Sequence, residues 1–124
     1  MTEWNDDDLD RIGGAEELQV ASQRPDGTLR PYVTIWGVRV GDGIYVRSAY
    51  GAGNPWFRRA KAAGTGRVRA GGVERDITFA EAAPGVHGEI DNAYHAKYDR
   101  YGPAIVGSVV GAKAAPVTVR LVPR

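Results

Sequence analysis

The chain has 124 residues with a formal net charge of +1, 43% hydrophobic and 25% charged residues, and no cysteine. The length and composition predict one globular domain, residues 1–124. The net charge does not by itself indicate a nucleic-acid-binding protein. The absence of cysteine excludes disulfides and cysteine-ligated metals. No stretch approaches the roughly 18 apolar residues of a membrane span, and the N-terminus is acidic where a secretory signal is basic, so we expect a cytoplasmic protein.

Hydrophobic periodicity in the first half predicts one short helix and three strands. The helix begins after Asn5, which is a good cap and is followed by acidic residues. Residues 17–23 alternate as a half-buried strand does. Residues 30–40 read as one long strand with apolar groups on both faces, so we expect it to be covered on both sides. A tight hairpin at Gly41-Asp42-Gly43 then leads into a strand at residues 44–49.

The second half predicts a helix at residues 56–63, strands at 67–71 and 73–81, a helix at 87–101 and a final strand at 116–122. The fold class is therefore α+β: a β-barrel of about six mostly antiparallel strands with three inserted or flanking helices. Closing the barrel would remove exposed sheet edges.

The segment from Gly43 to Ala60 joins a short strand, a Gly-rich elbow and a helix. Gly51 and Gly53 can adopt positive φ and allow close approach to the backbone, while Asn54 and Pro55 suit the start of a helix. Amides free at this helix start suit a phosphate or another anion, as do the neighbouring side chains Arg47, Ser48, Arg58 and Arg59. An ordinary corner with solvated arginines fits these residues about equally well.

A flat ligand needs an aromatic wall, backbone donors and a cation for any phosphate. All three occur within roughly 25 residues of this region. The candidate cofactor-binding residues are Thr34, Trp36, Arg47, Ser48, Gly51, Asn54 and Trp56. The competing interpretation is that the tryptophans simply belong to the core, which is the commoner outcome.

The helix at residues 87–101 carries tyrosines at helical spacing, which are more often a packing seam than a site. Lys97 lies near this seam, either snorkelling or turned towards an anionic ligand or a partner subunit. No residue is an obvious general acid or base, and Tyr98 is the best candidate for a proton donor.

His87, Asp91 and His95 recur every four residues and could line one helix face as metal ligands. No zinc-motif spacing supports them. We therefore favour an exposed helical face and expect no metal.

Residues 24–72, RPDGTLRPYVTIWGVRVGDGIYVRSAYGAGNPWFRRAKAAGTGRVRAGG, resemble the flavin-binding split barrels. They are most similar to the deazaflavin-dependent nitroreductases and more distantly to the pyridoxamine-phosphate oxidases. The shared pattern is a Gly-bearing hairpin, a long strand, a short strand ending in Ser48, a Gly-rich turn and a helix opening at Asn54-Pro55. The C-terminal part, YHAKYDRYGPAIVGSVV and VTVRLVPR, resembles a small bacterial group of uncharacterised split-barrel proteins.

The resemblance implies a split barrel that binds FMN or a deazaflavin coenzyme. It places Thr34, Trp36, Arg47 and Ser48 near the ring or ribityl chain, and it places the phosphate at the Gly51–Asn54 turn and Trp56. The implied activity is an oxidoreductase that moves a hydride to or from a small organic substrate, with the coenzyme supplying that chemistry. By analogy, the protein is expected to be a homodimer.

Two other functions stay open. The same pocket could belong to a non-catalytic module that binds a small anion or cofactor on a split barrel that has lost flavin chemistry. The second is a small nucleic-acid-binding barrel that uses a basic cluster, formed by Arg58, Arg59, Lys61, Arg67 and Arg69. We favour a small-molecule ligand over nucleic acid or a membrane.

Overall fold

The computed structural model describes residues 3–49 and 51–124. The strands in this part of the chain are β1 (Leu18–Ser22), β2 (Val33–Ile35), β3 (Gly37–Val40), β4 (Gly43–Arg47), β5 (Thr65–Ala70), β6 (Val73–Ala80) and β7 (Thr118–Pro123). The α-helices are α1 (Asp6–Gly14), α2 (Pro55–Ala63), α3 (His87–Tyr98) and α4 (Pro103–Val106). Short 3₁₀ turns cover Pro84–Val86, Asp99–Tyr101 and Ala112–Val117. The predicted α+β barrel is confirmed.

The strands form one antiparallel sheet in the order β2-β1-β5-β6-β7-β4-β3. Its two edge strands, β2 and β3, are consecutive in the chain and are separated only by Trp36. The chain itself therefore joins the two edges, and the sheet curls into a nearly closed barrel. This closure leaves few unpaired edge groups.

The prediction of a single strand over residues 30–40 is wrong. Val33–Ile35 pairs with β1, whereas Gly37–Val40 pairs with β4 at the opposite edge. A Cβ atom at Gly37 would lie 2.7 Å from Leu18 Cδ2, so any other residue at this position would force the buried Leu18 side chain to move. The sheet consequently has seven strands where six were predicted.

Side chains fill the inside of the barrel. Leu18, Ile44, Val68, Ile77 and Leu121 are each fully buried there. Burying one such side chain contributes about 1.5–3 kcal/mol. The barrel interior is therefore a packed core, and any sizeable ligand must bind outside it.

A second apolar cluster lies where α3 packs on β3, outside the barrel. Tyr94 and Tyr98 are fully buried, and Trp36 stacks on Tyr98 with the ring centroids 4.1 Å apart and the planes 7° from parallel. Tyr101, the last residue of the helix predicted at 87–101, is 43% exposed because the α-helix ends at Tyr98 and a 3₁₀ turn follows. The tyrosines thus form the packing seam that their spacing indicates.

Candidate functional site

A cavity of about 970 Å³ lies between the loop joining β1 to β2 and the outer face of α2. The loop contributes Gln23, Arg24, Pro25, Gly27 and Arg30. Helix α2 contributes five residues at helical spacing, namely Pro55, Arg58, Arg59, Ala62 and Ala63. Thr65, the first residue of β5, also lines the cavity. We call this space the basic cavity.

Hydrogen bonds within the loop hold its shape. The Thr28 backbone N–H and hydroxyl both donate to Asp26 Oδ1, at 2.9 and 2.6 Å. Both hydrogen bonds lower the pKa of Asp26, and the bond from the Thr28 hydroxyl has the larger effect. Gly27 lies in the turn of this loop with a φ of 88°, a conformation that glycine adopts readily. The loop therefore returns on itself and places Arg24 and Arg30 at its two ends.

Helix α2 presents two chemically different faces. Trp56, Phe57 and Ala60 are buried in the barrel core, which directs Arg58 and Arg59 outwards to the basic cavity. The helix has no acidic residue in its first turn and no side-chain cap from Asn54. The positive end of the helix dipole is therefore not balanced by the chain's own side chains.

The basic cavity concentrates positive charge. Of the residues that the structure describes, four arginines and no aspartate or glutamate line it. Arg24 donates to the Leu29 carbonyl at 2.9 Å, whereas no hydrogen bond or ion pair to the described residues engages the side chains of Arg30, Arg58 and Arg59. This arrangement suits an anion, because guanidinium groups bind phosphate and carboxylate through paired hydrogen bonds.

Arg47 lies elsewhere and is occupied by the protein itself. Its side chain is completely buried and forms an ion pair with Asp91 of α3. It also donates to Thr118 Oγ1 and to the Val109 carbonyl, both at 2.9 Å, and to the His87 carbonyl at 3.3 Å. In this structure Arg47 therefore ties β4 to α3 and to the segment before β7, and it does not reach the basic cavity.

Ser48 and Gly51 lie together at a second cavity of about 480 Å³, which also includes Ser108 and Lys113. The Ser48 hydroxyl donates to the Gly51 carbonyl at 2.7 Å. Gly51 has the predicted positive φ, at 96°, whereas Gly53 does not.

The remaining predicted site residues are dispersed. Thr34 is exposed on β2, and Trp56 is buried against Phe57 with the ring centroids 6.0 Å apart. Trp36 meets Tyr98 in the seam. The Tyr98 hydroxyl donates to the Glu16 carbonyl at 2.9 Å, and burial raises its pKa to about 12.

The structure thus brings some predicted residues together in pairs, but not all of them around one cavity. Arg58 and Arg59 were placed by the sequence near the helix start, but Arg24 and Arg30 were not assigned to the site. The sequence feature that could have identified these two arginines is the turn at residues 25–27. Because the chain reverses there, the strand-like segments before and after it bring Arg24 and Arg30 to the same side of the loop.

The three candidate metal ligands on α3 have other contacts. His87 Nδ1 lies 3.4 Å from Arg47 Nη2, and His95 pairs with Asp99 at 2.7 Å. Over residues 3–49 and 51–124, no group of three or more His, Asp or Glu side chains is placed to hold a metal. Nor does any described helix combine the length and hydrophobicity needed to cross a bilayer.

Several solved structures have this fold. A candidate pyridoxamine 5′-phosphate oxidase from Listeria innocua is 12% identical with a TM-score of 0.64, over 96% of this chain and 92% of that one. An F420 reductase is 19% identical with a TM-score of 0.57, over 95% and 90%. A FAD-binding protein from Mesorhizobium loti is 18% identical with a TM-score of 0.55, over 98% and 91%.

A search of curated protein sequences found no match. The sequence model of a bacterial family described as "Uncharacterized protein conserved in bacteria (DUF2255)" matches residues 8–121, which is nearly the whole chain. The chain therefore belongs to the DUF2255 family, and it has the split-barrel fold of these solved structures.

Proposed function

We propose that this protein binds a flavin-type coenzyme and that the basic cavity holds the coenzyme's phosphate end. One observation carries the proposal: four guanidinium groups, three of them without a partner among the described residues, surround a cavity without a carboxylate. The volume of about 970 Å³ lies at the upper end of ordinary ligand pockets. The fold neighbours include an F420 reductase and a FAD-binding protein, which supports a flavin-type ligand.

The two walls of the cavity would act as a clamp. Arg58 and Arg59 project from α2, a rigid element anchored in the core, while Arg24 and Arg30 face them from the hydrogen-bonded loop. Phosphate can accept hydrogen bonds from guanidinium groups on both sides.

The finer proposal is an oxidoreductase that transfers a hydride to or from a small organic substrate. A bound flavin or deazaflavin supplies that chemistry, and the protein contributes binding and orientation. We assign a proton-donor role to no side chain, since the Tyr98 hydroxyl is engaged by backbone carbonyl groups.

The environment of Arg47 favours a second candidate function, a module that binds a small anion without flavin chemistry. The resemblance places Arg47 near the coenzyme ring, but its guanidinium group is engaged by Asp91, Thr118 and Val109. Pyrophosphate or another small phosphate compound would then occupy the basic cavity.

The contacts of the remaining basic residues favour a small anion over nucleic acid. Arg67 Nη1 lies 3.7 Å from Glu74 Oε1, and Arg67 Nε lies 3.5 Å from Asp76 Oδ1. Arg69 Nε donates a hydrogen bond to Gln19 Oε1 at 2.8 Å. Lys61 of the same predicted basic cluster lies 4.0 Å from Glu81. Among the described residues, the two members of that cluster without a partner are therefore Arg58 and Arg59, which line the same cavity.

Calorimetric titration of the purified protein with FMN, riboflavin, a deazaflavin coenzyme and pyrophosphate tests the proposal. We expect FMN or the deazaflavin to bind, and riboflavin, which has no phosphate, to bind at least about 10-fold more weakly than FMN. The double variant Arg58→Gln/Arg59→Gln should weaken coenzyme binding by about 100-fold, since two charge-assisted hydrogen-bonding groups are lost. Arg67→Gln, outside the cavity, is the matched control and should bind like the wild type.

Binding of pyrophosphate without binding of either coenzyme would support the second candidate in place of the first. If no tested anion binds, or if the double variant binds as well as Arg67→Gln, the basic cavity has neither role.

A further inference from the structure

A separate groove of about 480 Å³ lies between α1 and α3, with β3 at its base. Small side chains keep it open, since α1 contributes Gly13 and Gly14, and α3 contributes Ala93 and Ala96. Lys97 also lines this groove. The groove shares no lining residue with the basic cavity, so the proposed coenzyme site does not account for it.

The Lys97 amine has a fixed position in this groove. Its Nζ atom donates to the Gly37 carbonyl at 2.7 Å and lies 5.0 Å from the centre of the Tyr98 ring. The side chain is half-buried. A lysine that is held by a backbone carbonyl and still reaches an open groove can be approached by a small reagent.

The surroundings of Lys97 give it a larger share of the neutral, nucleophilic amine than an ordinary lysine has. Burial lowers the pKa of Lys97 to about 8, with a further lowering by Arg100 and an opposing effect of Glu16. Arg100 and Glu16 pair with each other beside the amine. The other charged residues that line the groove are Asp10 and Arg39, which also pair with each other.

Arg39 lies in the same groove and has donors to spare. Its Nη1 atom bonds Asp10 and its Nε atom donates to the Gly41 carbonyl at 2.8 Å. The Nη2 atom makes no hydrogen bond to the described residues. This N–H group can donate to an anion that enters the groove.

We propose that Lys97 is an acylation site whose ε-amine accepts a short acyl group from an acyl phosphate bound in this groove. The amine nitrogen attacks the carbonyl carbon, a C–N bond forms, and the bond from that carbon to the phosphate oxygen breaks. Inorganic phosphate leaves, and the nitrogen loses one proton to solvent. The small side chains of the groove leave space for the acyl chain, and Arg39 can donate to the phosphate. The amide product keeps one N–H, which can still donate to the Gly37 carbonyl.

The sequence provides internal controls, because the other lysines, Lys61 and Lys113, are exposed. The experiment incubates the purified protein with acetyl phosphate at about pH 7.5 and follows each lysine by peptide mass spectrometry. At this pH about a quarter of Lys97, but about a thousandth of an ordinary lysine, is neutral. We expect Lys97 to be acetylated about 10-fold faster than Lys61 or Lys113, since a less basic amine is also a weaker nucleophile.

Two variants separate the contributions of charge and groove. Glu16→Gln removes the carboxylate that favours the ammonium form, so Lys97 should react faster at neutral pH. Ala96→Trp, at an exposed position of α3 that lines the groove, should narrow it and slow Lys97 while leaving Lys113 unchanged. Lys97→Arg should abolish the modification, and circular dichroism checks that each variant is folded.

The proposal is overturned if Lys97 reacts no faster than Lys61 and Lys113, or if Ala96→Trp folds and leaves the rate unchanged. Acetyl-coenzyme A carries its acetyl group on the sulfur of a bulky leaving group, not on a phosphate oxygen. If this donor acetylates Lys97 with the same preference over Lys61 and Lys113, the assignment of an acyl phosphate as the donor is overturned.

Discussion

Replacing Arg47 by methionine distinguishes a structural arginine from a ligand-binding one. The substitution keeps most of the side-chain volume but removes the ion pair with Asp91 and the hydrogen bonds to Thr118 and Val109. Breaking a buried ion pair by removing one partner costs about 3–5 kcal/mol. Because the Asp91 side chain is 29% exposed and can be partly hydrated, we expect the lower end, about 3 kcal/mol.

For a domain of this size, such a loss corresponds to a decrease in Tm of about 10 °C. The assay combines urea unfolding with differential scanning fluorimetry. Arg67→Met is the matched control, since its partners are exposed carboxylates and an exposed pair contributes about 0–1 kcal/mol. In the double variant Arg47→Met/Asp91→Leu, part of the stability should return, because neither charge is then left without its partner.

Coenzyme affinity supplies the other half of the test. At a temperature where the variant is folded, Arg47→Met should bind FMN with an affinity close to that of the wild type. A variant that unfolds at the wild-type temperature but has lost coenzyme binding would refute our reasoning and restore the role of Arg47 that the sequence predicts.

Two further predictions concern caps and alkaline pH. Asn5 accepts a hydrogen bond from the Asp8 backbone N–H at 2.7 Å, whereas the Asn54 side chain makes no such bond. Asn5→Ala should therefore lower the free energy of unfolding in urea by about 1 kcal/mol, and Asn54→Ala by less than about 0.5 kcal/mol. Equal losses would contradict the cap assignment. Burial raises the pKa of Tyr98 to about 12 and also raises that of Tyr94. Above about pH 10 the unfolded chain therefore loses these protons before the folded protein does, and the free energy of unfolding should fall as the pH rises. A flat stability profile there, measured by urea unfolding, would be inconsistent with buried neutral tyrosines.

Much of the local structure could be predicted from the sequence. Asn5 and the acidic residues after it predict α1, Pro55 and Gly64 mark the start and end of α2, and the Gly-containing turns separate the strands. These signals depend on backbone conformation and on side chains within a few positions along the chain. The fold class follows from them, because amphipathic strands and helices must bury their apolar faces together.

The site could be predicted only in part. The sequence concentrates arginine around α2, and the outward direction of Arg58 and Arg59 follows from the buried positions of Trp56 and Ala60. It does not reveal that a loop near residue 25 forms the opposite wall of the basic cavity, because that juxtaposition depends on how β1 pairs with β5 and how α2 packs on β1.

The sequence by itself determined helices α1, α2 and α3, the barrel class and the excess of guanidinium groups beside α2, since each depends on local periodicity or composition. Only the tertiary structure decided that the predicted long strand divides at Trp36 between two sheet edges. It also decided the partners of Arg47. Asp91, Val109 and Thr118 follow it in the chain by 44, 62 and 71 positions, respectively. Partners this distant are chosen by sheet register and helix packing, because the free energy of burying a charge depends on what the whole fold places around it.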